Sequence, residues 1–379
     1  MNKSNEMNHI DKWIIKNNPG GSYIFDKEVL KKDLDFIKNE LNDIKIAYSY
    51  KTNSYEGICK SLDSFGCLSE VVSPFELNCT KNFKIDCKKV IYNGPVKNKD
   101  SISYVLLNGG LVNADSPTDL ELILKTIDEL PQDKKYKVGL RLDLDIEETR
   151  FGINIKTKLF NKCIEKLLNK SNIIFECLHI HYPNRSLDSF ILRINKFIDF
   201  LSTIKVKPNS IDIGGSLPSL LNPILSKQLN LKTNALKFHL KEIKAFHNNL
   251  INIGIKNLII EPGTALVSNC FYLCGQVKSI NIRDKYNVAT LDISKMNLGN
   301  INSRIIYPFR LIKASYDNSE KKYNYKICGY TCIENDLLCS KRLSKLSLGD
   351  YLLFEASGSY SYAFDNFFIN PPLKVLDLY

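Results

Sequence analysis

Apolar and polar positions alternate along this chain in two textures. From Ile44 to Ile260, short apolar runs of strand character recur between longer stretches of helical periodicity. Ile44, Ile46, Tyr48 and Tyr50 alternate up to Lys51, and a helical stretch from Ser54 ends at Gly66, a suitable glycine beyond a helix C-terminus. Leu68–Val72, Val90–Tyr92, Leu111–Ala114, Val138–Leu142, Ile173–Ile180, Ile211–Ile213 and Leu258–Ile260 continue the strand series. Ser116-Pro117-Thr118-Asp119 opens a helix with a cap, a proline at its first position and an acid two residues later. Further helical segments are expected around 157–169, 186–204 and 234–253. Eight strands alternating with helices predict an α/β fold, a closed (β/α)8 barrel of the TIM type. After Gly263 the texture changes to short β-branched and aromatic segments, Tyr286–Ile293, Tyr323–Cys328 and Tyr351–Glu355, which predict a separate C-terminal β domain. No long Pro/Gly/Ser linker separates the two parts.

Composition narrows the class. With 379 residues, 44% hydrophobic and 25% charged, the chain can build a real core, which excludes disordered, collagen-like and coiled-coil proteins. No apolar run approaches the ~18 residues of a membrane span and the N-terminus has no signal-peptide stretch, so a cytoplasmic protein is expected. The formal charge of +11 invites a nucleic-acid reading. Only 8 of the 52 basic residues are arginine, however, and the lysines are spread along the chain, so no nucleic-acid partner is expected. The 11 cysteines lack the paired spacing of a zinc site, and reduced thiols with no bound metal are expected.

Barrels of this kind carry their chemistry at the C-terminal ends of the strands. The residues there are Lys51, Glu70 with Ser73, Asn93-Gly94-Pro95, Asp115, Arg141, His181, Gly214-Gly215-Ser216 and Glu261-Pro262-Gly263. Ionisable and glycine residues thus gather at one rim. A lysine there with a depressed pKa can form a Schiff base with an aldehyde, and backbone N–H groups after strand seven can cradle a phosphate.

These segments resemble one family. Ala47-Tyr48-Ser49-Tyr50-Lys51-Thr52-Asn53, Glu70-Val71-Val72-Ser73-x-x-Glu76, His179-x-His181, Ile211-Asp212-Ile213-Gly214-Gly215, Glu261-Pro262-Gly263, Gly329-x-x-Cys332-x-x-x-Asp336, Gly349-Asp350 and Gly358-Ser359-Tyr360 follow the order and spacing of the fold-type III pyridoxal-phosphate decarboxylases. That family includes ornithine, diaminopimelate and carboxynorspermidine decarboxylases. The resemblance spans nearly the whole chain. It implies an alanine-racemase-like barrel over 26–265, a β-rich domain formed by 1–25 with 266–379, pyridoxal 5'-phosphate as cofactor, an amino-acid substrate and a homodimer with shared active sites.

It also implies roles. Lys51 would carry the cofactor with Glu70 beside it, and Glu261 would pair with the pyridine nitrogen to make the ring a strong electron sink. His181 would stack on the ring. Gly214, Gly215, Ser216 and Tyr360 would hold the phosphate. Cys332 would protonate the α-carbon from across a dimer interface, a task suited to a thiol. Asp336, Glu334 and Arg141 would face the substrate. The chain departs from the family at two phosphate contacts: Thr264 stands where arginine usually follows Glu-Pro-Gly, and Pro183-Asn184 replaces Gly-Ser. Thr264 and Asn184 can still donate hydrogen bonds, with Arg185 as a replacement charge.

Ile333 occupies the position where ornithine and diaminopimelate enzymes have an acid that reads the substrate's distal end, so neither substrate is favoured. Thr331–Asp336 resembles carboxynorspermidine decarboxylase, whereas Gly299-Asn300 through Arg304-Ile305-Ile306-Tyr307-Pro308 resembles relatives that decarboxylate siderophore or antibiotic intermediates, and the second resemblance is preferred. A racemase on the same fold is the first alternative, and such enzymes set an arginine, not a glutamate, against the pyridine nitrogen. A catalytically silent partner-binding homologue is the second, and retention of Lys51, Glu261, Cys332 and Tyr360 opposes it.

Overall fold

The computed structural model describes residues 8–220, 223–232, 234–299, 305–315, 321–365 and 367–378. The chain divides into two units, one of residues 31–220 with 233–266 and the other of 1–30, 221–232 and 267–379. Asn300 and Arg304, from the stretch compared with siderophore and antibiotic enzymes, lie outside the described residues. Among the described residues no helix is long and apolar enough to cross a membrane.

The helix His9–Asn17 and β1 (Ser22–Phe25) come first in the chain and belong to the second unit. The strands of the first unit follow: β2 (Lys45–Ser49), β3 (Leu68–Val71), β4 (Val90–Tyr92), β5 (Leu111–Ala114), β6 (Tyr136–Asp143), the short β7 (Ile153–Asn154), which pairs β6 outside the barrel, β8 (Ile173–His179), β9 (Ser210–Asp212) and β10 (Asn257–Ile260). Every pairing is parallel in the path β5-β4-β3-β2-β10-β9-β8-β6, and β5 also pairs β6, so the eight staves close into a barrel. Continuous apolar runs suit such staves because helices cover the outer face and side chains fill the inner one. Ala47, Ile91, Leu111, Cys177 and Ile259 form one cluster of this core.

The helices fall where periodicity places them, at Lys158–Leu168, Leu187–Thr203 and Ala235–Asn252. Ser116 caps Pro117–Asp128 by accepting the Asp119 N–H at 3.1 Å. The helix Glu56–Ser64 runs out at Gly66, whose φ of +84° any side chain would disfavour.

A buried ion pair ties the rim together. Lys97 Nζ lies 2.6 Å from Asp119 and 2.6 Å from the Gly94 carbonyl, with the lysine side chain fully buried. Asp119 also accepts the Asp115 N–H at 2.9 Å. Burial lowers the Lys97 pKa, and Asp119 works against that shift. Removing one partner of such a pair strands a charge, so Lys97→Met should cost about 3–5 kcal/mol, read as a lower urea midpoint at unchanged slope.

In the second unit β1 pairs antiparallel with β11 (Phe271–Asn281). Beyond β11 come β12 (Asn287–Leu291), β13 (Phe309–Ile312), β14 (Lys322–Cys328), β15 (Leu337–Ser344), β16 (Tyr351–Phe354) and β17 (Val375–Asp377). β11 joins β16 and β12, β12 leads through β14 to β15, and β17 lies parallel to β1. Ile10, Ile14, Ile24, Cys274, Ile312, Tyr351, Leu353 and Leu378 pack its core.

Candidate active site

Lys51 does not sit on a strand but in the 3-10 turn Tyr50–Thr52 that follows β2. The turn swings the side chain toward Glu70 at the end of β3. Lys51 Nζ is 3.0 Å from Glu70 Oε2 and 2.7 Å from Ser49 Oγ. Glu70 is 1% exposed at its side chain and Lys51 34%, so the lysine is half-buried. It lines a cavity of about 450 Å3, within the usual range of small-molecule sites. Glu70, Asn93, Arg141, His179, His181 and Glu261 line the same cavity.

Glu261 lies just past β10 and is buried. Asn93 Nδ2 donates to its Oε1 at 2.6 Å, and His179 Nε2 stands 3.5 Å from its Oε2. Burial alone would raise the Glu261 pKa, but His179 and Lys51 outweigh it and hold the carboxyl well below the usual range. Asp212, at the end of β9, is its counterpart. Burial first and Glu261 second push the Asp212 pKa far up, although the Gly214 N–H bonds it at 2.8 Å. Like charges this close cannot both ionise in a dry interior, so Glu261 keeps the charge and Asp212 the proton.

His181 Nδ1 accepts the Gly215 N–H at 3.1 Å, which leaves the proton on Nε2. Burial, then Lys51, lowers its pKa well below the usual value, so the ring is neutral. Arg141 donates to Asp115 at 2.9 Å and to the His181 carbonyl at 3.2 Å. Its guanidinium lies over the Phe151 ring.

Of the expected phosphate residues, Gly214 and Gly215 adjoin His181. A Cβ at Gly215 would stand 2.4 Å from the Glu261 carbonyl oxygen, so only glycine allows these loops to approach so closely. Ser216 Oγ donates to the Tyr182 carbonyl, and Arg185 Nη2 to Thr264 Oγ1 at 3.2 Å. The buried Arg193 holds the preceding loop through the carbonyls of Tyr182 and Asn184, while the Asn184 side chain accepts the Ser186 N–H. Arg185 therefore brings a cation to Thr264, the position where the family's arginine is missing.

Cys332, Glu334, Asp336 and Tyr360 belong to the β unit. Cys332 and Glu334 are exposed, and Tyr360 is half-buried with a left-handed φ of +60°. Asp336, expected to face the substrate, is committed to hydrogen bonds within its own unit. It is 2% exposed, and its oxygens accept bonds from Ser294 Oγ, Lys295 N, Thr331 N and Thr331 Oγ1. A carboxylate so fully occupied holds the loop in shape and has little left to offer a ligand.

Ser49, Asn93, Asn113, His179 and Asp212 complete the site, although the sequence assigned none of them a role. His179, Asp212 and Glu261 bring their ligand atoms within 4.8 Å of one another. The signal available in the sequence was position: each lies on a stave or immediately beyond its end.

The donor set fits pyridoxal phosphate. A half-exposed amine, a buried ionised carboxylate and a neutral imidazole face one cavity beside a tight glycine loop. Comparison with known proteins agrees. Residues 27–268 match the family model described as pyridoxal-dependent decarboxylase, pyridoxal binding domain. The chain is 25% identical over 340 residues to a diaminopimelate decarboxylase of Methanocaldococcus jannaschii, covering 85% of this chain and 75% of the relative. It is 24% identical over 369 residues to an ornithine decarboxylase of Mus musculus, covering 89% and 75%. The crystal structure of the M. jannaschii diaminopimelate decarboxylase superposes with a TM-score of 0.81 at 23% identity, over 94% of this chain and 86% of that one. With the barrel, the lysine rim and the family model in agreement, the chain belongs to the pyridoxal-dependent decarboxylases and is an amino-acid decarboxylase with pyridoxal 5'-phosphate as its cofactor.

Proposed function

We propose that the protein removes the α-carboxylate of an amino acid, or of an amino-acid conjugate, in specialised metabolism of the siderophore, antibiotic or polyamine-like kind. The observation that carries the reading of the site is Glu261, buried, bonded by Asn93, beside His179 and facing the cavity that Lys51 lines. Pyridoxal phosphate, when bound, supplies the electron sink for the pair of electrons left as CO2 departs. Lys51 is the amine that would hold the cofactor's aldehyde carbon, and Glu70 with Ser49 fixes its Nζ. The Glu261 charge would keep the ring nitrogen protonated, and the neutral His181 offers an aromatic face. Gly214, Gly215, Ser216, Thr264, Asn184 and Tyr360 would hold the phosphate, with Arg185 supplying the cation. Arg141 and Glu334 would contact the substrate, and Cys332 would return a proton to the α-carbon.

Substrate is the open variable. Ile333 cannot pair with a distal ammonium, which supports a substrate other than ornithine or diaminopimelate. A screen for CO2 release from diamino acids and citryl–amino-acid conjugates tests this. Turnover of a conjugate above ornithine, lysine and diaminopimelate is expected, and preference for one of those three overturns the specialised reading.

A homodimer with composite sites is part of the proposal, because Cys332 is exposed on the β unit. A two-fold interface supplies each half-site twice. Mixing Lys51→Ala with Cys332→Ala protein should restore about a quarter of wild-type activity, since half the dimers are mixed and each has one intact site. No recovery after demonstrated subunit exchange would place both residues in one chain's site.

A further inference from the structure

Asn93 Nδ2 donates to Glu70 Oε1 at 3.1 Å and to Glu261 Oε1 at 2.6 Å. Glu70 lies in β3 and Glu261 just past β10, strands that flank β2 on opposite sides. One amide nitrogen with two hydrogens is the group that can satisfy both at once. Its orientation is fixed from behind, because Asn113 Nδ2 donates to Asn93 Oδ1 at 2.8 Å. A flipped Asn93 would set its carbonyl against two carboxylates and its NH2 against another NH2. Asn113 in turn needs Gly139: a Cβ there would lie 2.0 Å from Asn113 Oδ1.

We infer that Asn93 is a positioning residue that joins Glu70 and Glu261 into one hydrogen-bonded unit and holds both side chains as hydrogen-bond acceptors in the working enzyme. The inference rests on the roles proposed above for those two acids. A fixed N–H stabilises a carboxylate but cannot serve a protonated hydroxyl in the same place. Other acids crowd the two carboxylates that this donor serves. Glu70 faces Lys51 but also Glu76 of the helix Pro74–Asn82 and Asp212 of β9. Glu261 faces His179, His181 and Lys51, and again Asp212. Burial first and Glu70 second push the Glu76 carboxyl up to about 7.

Two variants test this. Asn93→Asp keeps the shape but replaces the donor with a third acid, and Asn93→Ala removes the donor. The acidic limb of the kcat/KM profile should move to higher pH by roughly one unit or more in Asn93→Asp, and less far in the same direction in Asn93→Ala. Infrared difference titration of the apoprotein reads the carboxyl groups without turnover, and Asn93→Asp should show an additional protonated-carboxyl band at neutral pH. Profiles and bands that superpose on wild type, with or without a lower rate, would reduce Asn93 to a packing role and overturn the inference. If Asn93→Ala does not fold, Asn93→Asp alone decides. Glu70→Gln and Glu261→Gln separate the two levels. Wild-type rates in both would sink the proposed function, whereas slow turnover in both with unshifted Asn93 profiles sinks only this inference.

Discussion

Lys51→Ala should fold normally and release CO2 at less than about a thousandth of the wild-type rate, a loss of about 4 kcal/mol of transition-state stabilisation. Folding should survive because Glu70, although buried, retains Ser49 Oγ and Asn93 Nδ2 as donors. Activity should not survive, because no other lysine lines the cavity among the described residues. The companion measurement is chemical. Borohydride reduction of the loaded wild-type protein should attach the cofactor to the peptide containing Lys51 and to no other. Labelling of another lysine, or a variant within tenfold of wild type, would remove Lys51 from the reaction.

Glu261→Gln should slow decarboxylation by at least ~10²-fold, or roughly 2.7 kcal/mol, while cofactor retention stays nearly unchanged. The substitution keeps the volume and can still turn an amide oxygen toward Asn93 Nδ2, but it removes the charge. The loss then falls on an interaction that strengthens as charge develops on the ring, so kcat falls with KM little altered. A Gln variant within a few-fold of wild type would show that the ring nitrogen is held some other way and would reopen racemisation. The sign of the pH dependence is set by the same pair. Glu261 has a depressed pKa, so its charge and the stability it contributes persist to pH well below the ordinary carboxylate range and are lost only as pH falls through that value. Mild acid should therefore not switch off this group. Asp212 is shifted the other way, and its protonated form is the one the folded state favours.

Much of the fold is legible in the amino-acid sequence. The alternation of strand and helix predicts the staves because period and length are local properties: β5 falls at Leu111–Ala114, and three helices match within a residue or two. In the β unit the pattern marks β12, β14 and β16 but not β11, β13, β15 or β17. β11 and β17 pair with β1, and β13 with β16, over long sequence distances, and such pairing leaves no periodic trace of its own, whereas β15 forms a local hairpin with β14. The helices Lys27–Glu40 and Lys99–Leu107 also lie outside the expected segments. The first does carry a local signal, since Leu30, Leu34 and Ile37 stand at helical spacing and are all buried.

The sequence by itself determined the eight-strand alternation, the rim residues and the identity of Lys51 and Glu261 as a lysine and an acid at strand ends. Tertiary structure alone decided what those groups are to one another. That Asn93 bridges Glu70 and a Glu261 168 positions away, and that Asp212 takes a proton so that Glu261 need not, depend on barrel closure. That Asp336 is consumed by its own loop depends on how that loop folds. Protonation and hydrogen-bond commitment are properties of neighbours a few ångströms away. Chain order does not specify those neighbours until the staves close.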